Sequence, residues 1–236
     1  MSRLSLLICC AFLFGCQPKK KDVKVQKAEK QDSIEKASIP ESHSLIPIFE
    51  SLDYLVLAKE PKEIMVTKRE RANDSFPIYN QLAGYGEDII MGKDLSFEDV
   101  IIYRKYGPNS TFEDYPVDVY QGELAEPDFS TNPAAKQFIT RITEGCANGV
   151  NFSGHYTFVS WGCGSPCQTG VVVDRITGKI FDGPVTSLGS EFREDSKLLI
   201  KNIGALDKKT NLIEVCSYCE VTHEVWNGNS FETVYK

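Results

Sequence analysis

Eight cysteines and three histidines are the residues of this 236-residue chain best suited to act as nucleophiles, bases or soft metal ligands. Five of the cysteines, Cys146, Cys163, Cys167, Cys216 and Cys219, lie in the part of the chain that reads as folded. A Cys-x3-Cys pair, a gap of forty-eight residues and a Cys-x2-Cys pair admit three chemistries. Local disulfides Cys163–Cys167 and Cys216–Cys219 are the simplest of the fifteen ways to make two bridges and leave one free thiol, here Cys146. The same four cysteines could instead hold a tetrahedral zinc as thiolates, with His155 or His223 as a substitute ligand. The third arrangement sets Cys163 beside His155 as thiolate nucleophile and imidazole base.

Spacing separates these readings. In a flat strand His155 and Cys163 stand eight residues apart, so they meet only if the turn carrying Cys163 folds back. The Ser-His-Gly-Cys-x-Arg order of L,D-transpeptidases is absent, and no Arg stands two residues after Cys163. Gly164-Ser165-Pro166, flexible at Gly and bent at Pro, lets two Cα atoms come within ~4.4–6.8 Å, so a disulfide is the favoured reading of this turn. A bridged Cys163 has no thiolate to offer. His155 alone reads as a buried, hydrogen-bonded histidine, Trp161 as core, and Asp174 and Asp195 as turn formers. No phosphate loop, Ser-His-Asp triad or paired-carboxylate signature stands out, and no metal or cofactor is expected.

The elements that must position these residues centre on Asn151 to Asp182. His155, Thr157, Val159 and Trp161 alternate with Tyr156, Phe158 and Ser160, and both sets contain large residues, which predicts a strand covered on both faces. Gly162 to Cys167 must turn, Gly170 to Val173 return, and Asp174 to Lys179 form a hairpin turn with Gly178 at the left-handed position. Further strands are expected over Lys197–Ile203, over Leu212–Trp226 with a bend at Cys216–Cys219, and over Phe231–Tyr235 after the hairpin signal Asn227-Gly228-Asn229. One helix is expected over about 131–144, capped by Thr131 or Asn132, with Pro133 in its first turn, Phe138 and Ile142 on one face and Gly145 as its stop. Further upstream, a short helix and two strands are expected over Leu45–Lys68, a mixed stretch over 69–94 with Gly84, Gly86 and Gly92 as breakers, a strand over Asp99–Tyr103 and the start of another at Val117–Tyr120. The phrases Ile176–Phe181 and Phe192–Ile200 are similar to part of a β-propeller blade. A propeller needs about four blades, however, and no repeat fills residues 45–145. The fold class is therefore α+β, mostly β: an antiparallel sheet or half-barrel meander with one packed helix.

Composition and charge bound the function. The chain is 42% hydrophobic and 25% charged, with a net charge of −7. Residues 17–44 carry seven Lys and five Asp or Glu; taking +2 for this segment and +1 for Arg3 from −7 leaves −10 for 45–236. Phosphate binding needs a basic face, so an acidic body argues against nucleic acid as a partner. Arg3 and the apolar run Leu4–Phe14 form a targeting segment too short to span a bilayer. Its end, Leu13-Phe14-Gly15-Cys16, resembles the lipobox of bacterial lipoproteins, which implies removal of residues 1–15 and acylation, palmitate included, of Cys16. Residues 17–44 carry few large apolar side chains and read as a flexible tether. One globular domain is expected over 45–236, less sharply patterned over 45–115 and β-rich over 116–236.

A second resemblance rests on Asn132-Pro133 with Phe138, on Asn151-Phe152-x-Gly154-His155-Tyr156, on Trp161-Gly162-Cys163-Gly164 with Cys167-Gln168, and on Asp174, Thr177-Gly178-Lys179 and Asp195-Ser196. Over about residues 116–203 the chain is similar to a group of uncharacterised bacterial envelope proteins, which implies fold and location but no chemistry. The expected function is a membrane-anchored envelope lipoprotein, outside the cytoplasm, acting as a non-catalytic binding or structural module toward an envelope partner or ligand. The alternative is a cell-wall hydrolase or transferase using Cys163 and His155.

Overall fold

Along Tyr54–Ala58 every second residue is fully buried and the two between are half-buried, the period of two that a pleated strand imposes. This strand belongs to a computed structural model that describes residues 45–75, 78–108 and 110–234. The expected signal peptide, Cys16 and the tether to residue 44 lie outside the described residues. In chain order the elements are β1 (Ile46–Glu50), β2 (Tyr54–Ala58), β3 (Ile64–Lys68), the short helix α1 (Arg69–Ser75), β4 (Tyr79–Tyr85), β5 (Asp88–Lys93) and β6 (Val100–Lys105). A 3-10 segment, Pro133–Phe138, then runs into α2 (Ile139–Ala147). The hairpin β7 (Tyr156–Gly164) and β8 (Cys167–Asp174) leads to β9 (Ile180–Asp182), β10 (Ser190–Phe192) and β11 (Leu198–Lys201). The short strands β12 (Leu206–Asp207), β13 (Leu212–Glu214), β14 (Thr222–Trp226) and β15 (Phe231–Thr233) complete the chain.

The fold is mostly β with antiparallel pairing, one main helix and no closed barrel, as the sequence implies. Its strands are divided among four sheets, ordered β1-β2-β6-β13-β12, β3-β5-β4, β7-β8-β9 and β10-β11-β14-β15. The first two enclose a core of Tyr54, Val56, Leu82, Ile90 and Ile102. Because β13 pairs with β6, the front of the chain completes its sheet with a strand from the back. In the back half, α2 packs on one face of β7-β8-β9 through Ile142 and Cys146 against Val159 and Val173. An aromatic core of Phe152, Tyr156, Phe158 and Trp226 fills the space between the other face and β11-β14.

Four local expectations are corrected. The stretch from Leu45 opens with a strand rather than a helix: β2 supplies the hydrogen bonds of β1, and Pro47 sits at a bulge on this edge strand, where its missing N–H is tolerated. Within 69–94, read as mixed with Gly84, Gly86 and Gly92 as breakers, Gly84 and Gly92 lie inside β4 and β5, and Gly86 breaks the chain in the two-residue turn Gly86-Glu87 that joins these strands into a hairpin. Val117–Tyr120 is not a strand, because its backbone bonds go to separate places, Val117 N–H to Asp195 and Tyr120 N–H to Gly154, and no ladder forms. The expected helix starts as written, with Asn132 capping the Ala135 N–H and Pro133 in first position, but it ends at Ala147 and not at Gly145.

Gly145 serves packing: a Cβ there would stand 2.6 Å from a Val159 methyl. Because Pro133–Phe138 winds at three residues per turn, the expected face is also shifted in phase. Ile142 is fully buried, whereas Phe138 is 37% exposed and caps the Trp161 ring from the rim.

One side chain ties these parts together. Arg175, 3% exposed, donates from Nε to the Ala125 carbonyl and from Nη1 to the Cys146 carbonyl and the Thr157 hydroxyl. Its own backbone bonds the His155 carbonyl and the Ala125 N–H. Replacing it by Met keeps much of the stem but strands these acceptors. Arg175→Met is expected to cost about 3 kcal/mol, read as a fall in Tm of roughly 6–12 °C. An unchanged Tm would show that solvent substitutes for the guanidinium.

Candidate functional site

The β7-β8-β9 sheet carries the residues singled out in the sequence, and it separates them. At the tip of the β7-β8 hairpin Cys163 and Cys167 form a disulfide with Cα atoms 5.1 Å apart. The Ser165-Pro166 peptide between them is cis. Cys216 and Cys219 form a second bridge, Cα atoms 5.1 Å apart, at the bend where the chain leaves β13 for β14. Cys146 is the free cysteine of the body, and burial on α2 pushes its thiol pKa up. The four sulfurs considered as zinc ligands are thus consumed in two bridges. Among the described residues no three His, Cys, Asp or Glu side chains gather as metal ligands would.

His155 lies just before β7, and Cys163 lies seven residues along that extended strand from Tyr156, a distance of more than about 20 Å. The nucleophile–base pair is therefore not assembled. His155 is also not the buried, hydrogen-bonded histidine expected: its side chain is 31% exposed, its ring lies over Tyr156, and its Nε2 stands 3.7 Å from Asp174 Oδ1. That description belongs to His223 on β14, whose Nε2 and Nδ1 lie 2.7 Å from the Tyr106 and Ser110 hydroxyls. A neutral ring can accept from one hydroxyl and donate to the other, and burial lowers the His223 pKa.

Asp174 is a turn former, as expected. Its Oδ1 accepts from the N–H groups of Ile176 and Thr177 and its Oδ2 from the Thr177 hydroxyl. Gly178 closes this turn at φ +82°, with the Glu126 carbonyl 2.4 Å from where a Cβ would be. Asp195, also read as a turn former, takes two bonds from Arg193, which hold its pKa down. Asn151 explains part of the Asn-Phe-x-Gly-His-Tyr motif: its side-chain amide bonds both the N–H and the carbonyl of Phe158, so one side chain acts as a strand neighbour for β7. Phe152 fills the centre of the aromatic core.

The feature sequence reasoning missed lies on the β9 side of the sheet. A cleft of ≈ 630 Å³ opens between Asn132-Pro133 at the start of the 3-10 segment, Phe181 and Asp182 on β9, and Asn229 and Phe231 of the β14-β15 hairpin. Asn132 is held at both ends, accepting from Ala135 N–H and donating to Asp182 Oδ1 at 2.9 Å. The Phe181 and Phe231 rings pack on Trp226, with centroids 5.4 and 4.9 Å away. The capping signal at Asn132 and the turn signal at Asn229 were legible, but nothing in either segment says that they face each other.

No family model, curated protein or solved structure matches this chain. Among its described residues no helix is long and apolar enough to cross a membrane.

Three outcomes are expected. Peptide mapping without reduction recovers Cys163 linked to Cys167 and Cys216 linked to Cys219. The Cys163→Ser/Cys167→Ser double variant loses less than about 3 kcal/mol, because the closed loop is short. For His223 the folded pKa lies below the ordinary value of 6.5, so the unfolded chain takes up the proton first. Its contribution is fully present above about pH 6.5 and is lost as the pH falls toward the depressed value. The Tm of His223→Gln should therefore vary less than that of the parent across this window.

Proposed function

We propose that this chain is a membrane-anchored lipoprotein of the bacterial cell envelope whose body is a non-catalytic binding module. Acyl chains on Cys16 anchor it, residues 17–44 space it from the surface, and residues 45–236 face an envelope ligand or partner outside the cytoplasm. The observation that carries the non-catalytic reading is the fate of Cys163: its sulfur is bonded to Cys167, and His155 lies just before the far end of the strand that carries Cys163. A hydrolase or transferase built on that pair would need the bridge reduced and β7 refolded. The rigid sheet instead offers the cleft beside β9, with fixed polar groups over an aromatic floor.

Location is supported by chemistry of two kinds. Two disulfides suit an oxidising compartment. A spacer of charge +2 beside a body of −10 suits an anionic lipid surface, which attracts the first and repels the second. Cys16→Ser is expected to abolish lipid labelling and leave the precursor uncleaved. A Ser variant that is processed and fractionates with membranes like the parent would overturn the anchor.

A further inference from the structure

We infer that the cleft between Asn132, Asp182 and Asn229 binds an uncharged saccharide. This rests on the reading of the body as a binding module and names the ligand class of that site. The first argument is the inventory of free polar valences. Asn132 Nδ2 gives one of its two hydrogens to Asp182 Oδ1 and keeps the other. Asp182 Oδ2 and the Asn229 side-chain amide have no hydrogen-bond partner among the described residues, while the Asn229 backbone N–H donates to Asn227 Oδ1. The cleft thus presents donors and acceptors side by side, and each sugar hydroxyl is itself one donor and two acceptors. The second argument is charge. The lining holds one carboxylate and no Lys, Arg or His, so it repels phosphate and carboxylate ligands. Lys179 is not part of this lining; its ammonium stands 4.5 Å from the centre of the Phe181 ring and keeps its charge there.

The third argument is the floor. Phe181 and Phe231 are partly buried rings fixed against Trp226, and Phe231 also stacks on Phe152 at 5.8 Å. These two rings give an apolar floor for the C–H groups of a pyranose, the Phe181 ring being shared with the Lys179 ammonium, while the sugar hydroxyls reach the rim. A peptide is the competing ligand, and it would bind by adding a strand to an open edge. Here Pro133 and Pro184 have no N–H to offer, and the N–H groups of Ile180 and Gly183 already bond Thr131 Oγ1 and the Gly170 carbonyl.

The test titrates the full chain, in detergent, with tetrasaccharides of glucose, N-acetylglucosamine and mannose and with tetra-alanine amide. Calorimetry measures affinity, and the fluorescence of Trp226 beneath the cleft reports occupancy. At least one tetrasaccharide is expected to bind, and Asp182→Ala and Asn229→Ala, both at exposed positions, are each expected to weaken it at least tenfold, Asn229→Ala at unchanged Tm. No heat or fluorescence change with any tetrasaccharide up to about 10 mM would overturn the inference. Equal affinity in parent and variants, or tighter binding of the peptide, would overturn it too. Peptide binding would leave the binding-module reading standing, and membrane fractionation of the same samples reports on Cys16 separately, so the two readings fail independently.

Discussion

A guanidinium without a carboxylate holds the back half of this molecule together. Buried Arg175 spends its bonds on two carbonyls and a hydroxyl from three different segments. One of those carbonyls, Cys146, belongs to the last turn of α2, where unsatisfied carbonyls and the negative end of the helix favour a cation. Arginine can do this because its donors diverge in a fixed fork and its charge is weakly hydrated; a lysine ammonium is a single point. The turn that presents it is over-determined by the Asp174 carboxylate at one end and Gly178 at the other. The position of α2 on the sheet, the path of the 125 loop and the start of β7 therefore share one constraint.

That constraint bears on the cleft through the sheet. β7 and β8 are buried on both sides, by α2 through Val159 and Val173 and by the aromatic core through Phe158 and Val172. A strand packed on both faces cannot slip by one residue without exchanging its two cores. Register is thereby fixed along β8, and through its pairing with β9 so are Phe181 and Asp182. Trp226 and Phe231 hold the other wall against the same aromatic core. Loops supply the polar groups of the cleft, but the packed sheet sets their separation, so little ordering is left for a ligand to impose.

What the sequence made legible is what a single segment encodes. The Asn132-Pro133 start, the Asp174–Gly178 turn, the Asn227–Asn229 hairpin, both short-range disulfides and the doubly covered strand at 155–161 each follow from a few adjacent side chains. What was hidden depends on distant partners. Gly145 resembles a helix stop until Val159 is seen pressed against it. Arg175 bonds backbone carbonyls, which every residue has, so no pattern of side chains marks its partners. Val117–Tyr120 has strand-like composition but finds single bonds to Asp195 and Gly154 in place of a ladder. The cleft draws on segments near 132, 182 and 230, and none of the three is unusual alone.

The two cysteine pairs show why position decides chemistry. A reactive cysteine needs thiolate character, access and a neighbouring base. Cys163 has the access, at the exposed tip of a hairpin, but its sulfur closes a loop of a few residues whose shape it sets. Cys146 keeps its thiol but is buried, with its pKa raised, so little thiolate forms and little could reach it. The histidines divide in the same way. His155 is open to solvent without a cysteine beside it, while His223 is enclosed between two hydroxyls and kept neutral by burial. Among the described cysteines and histidines, free thiol, imidazole and access do not meet in one place, and the same sheet that separates Cys163 from His155 holds the polar groups of the cleft together.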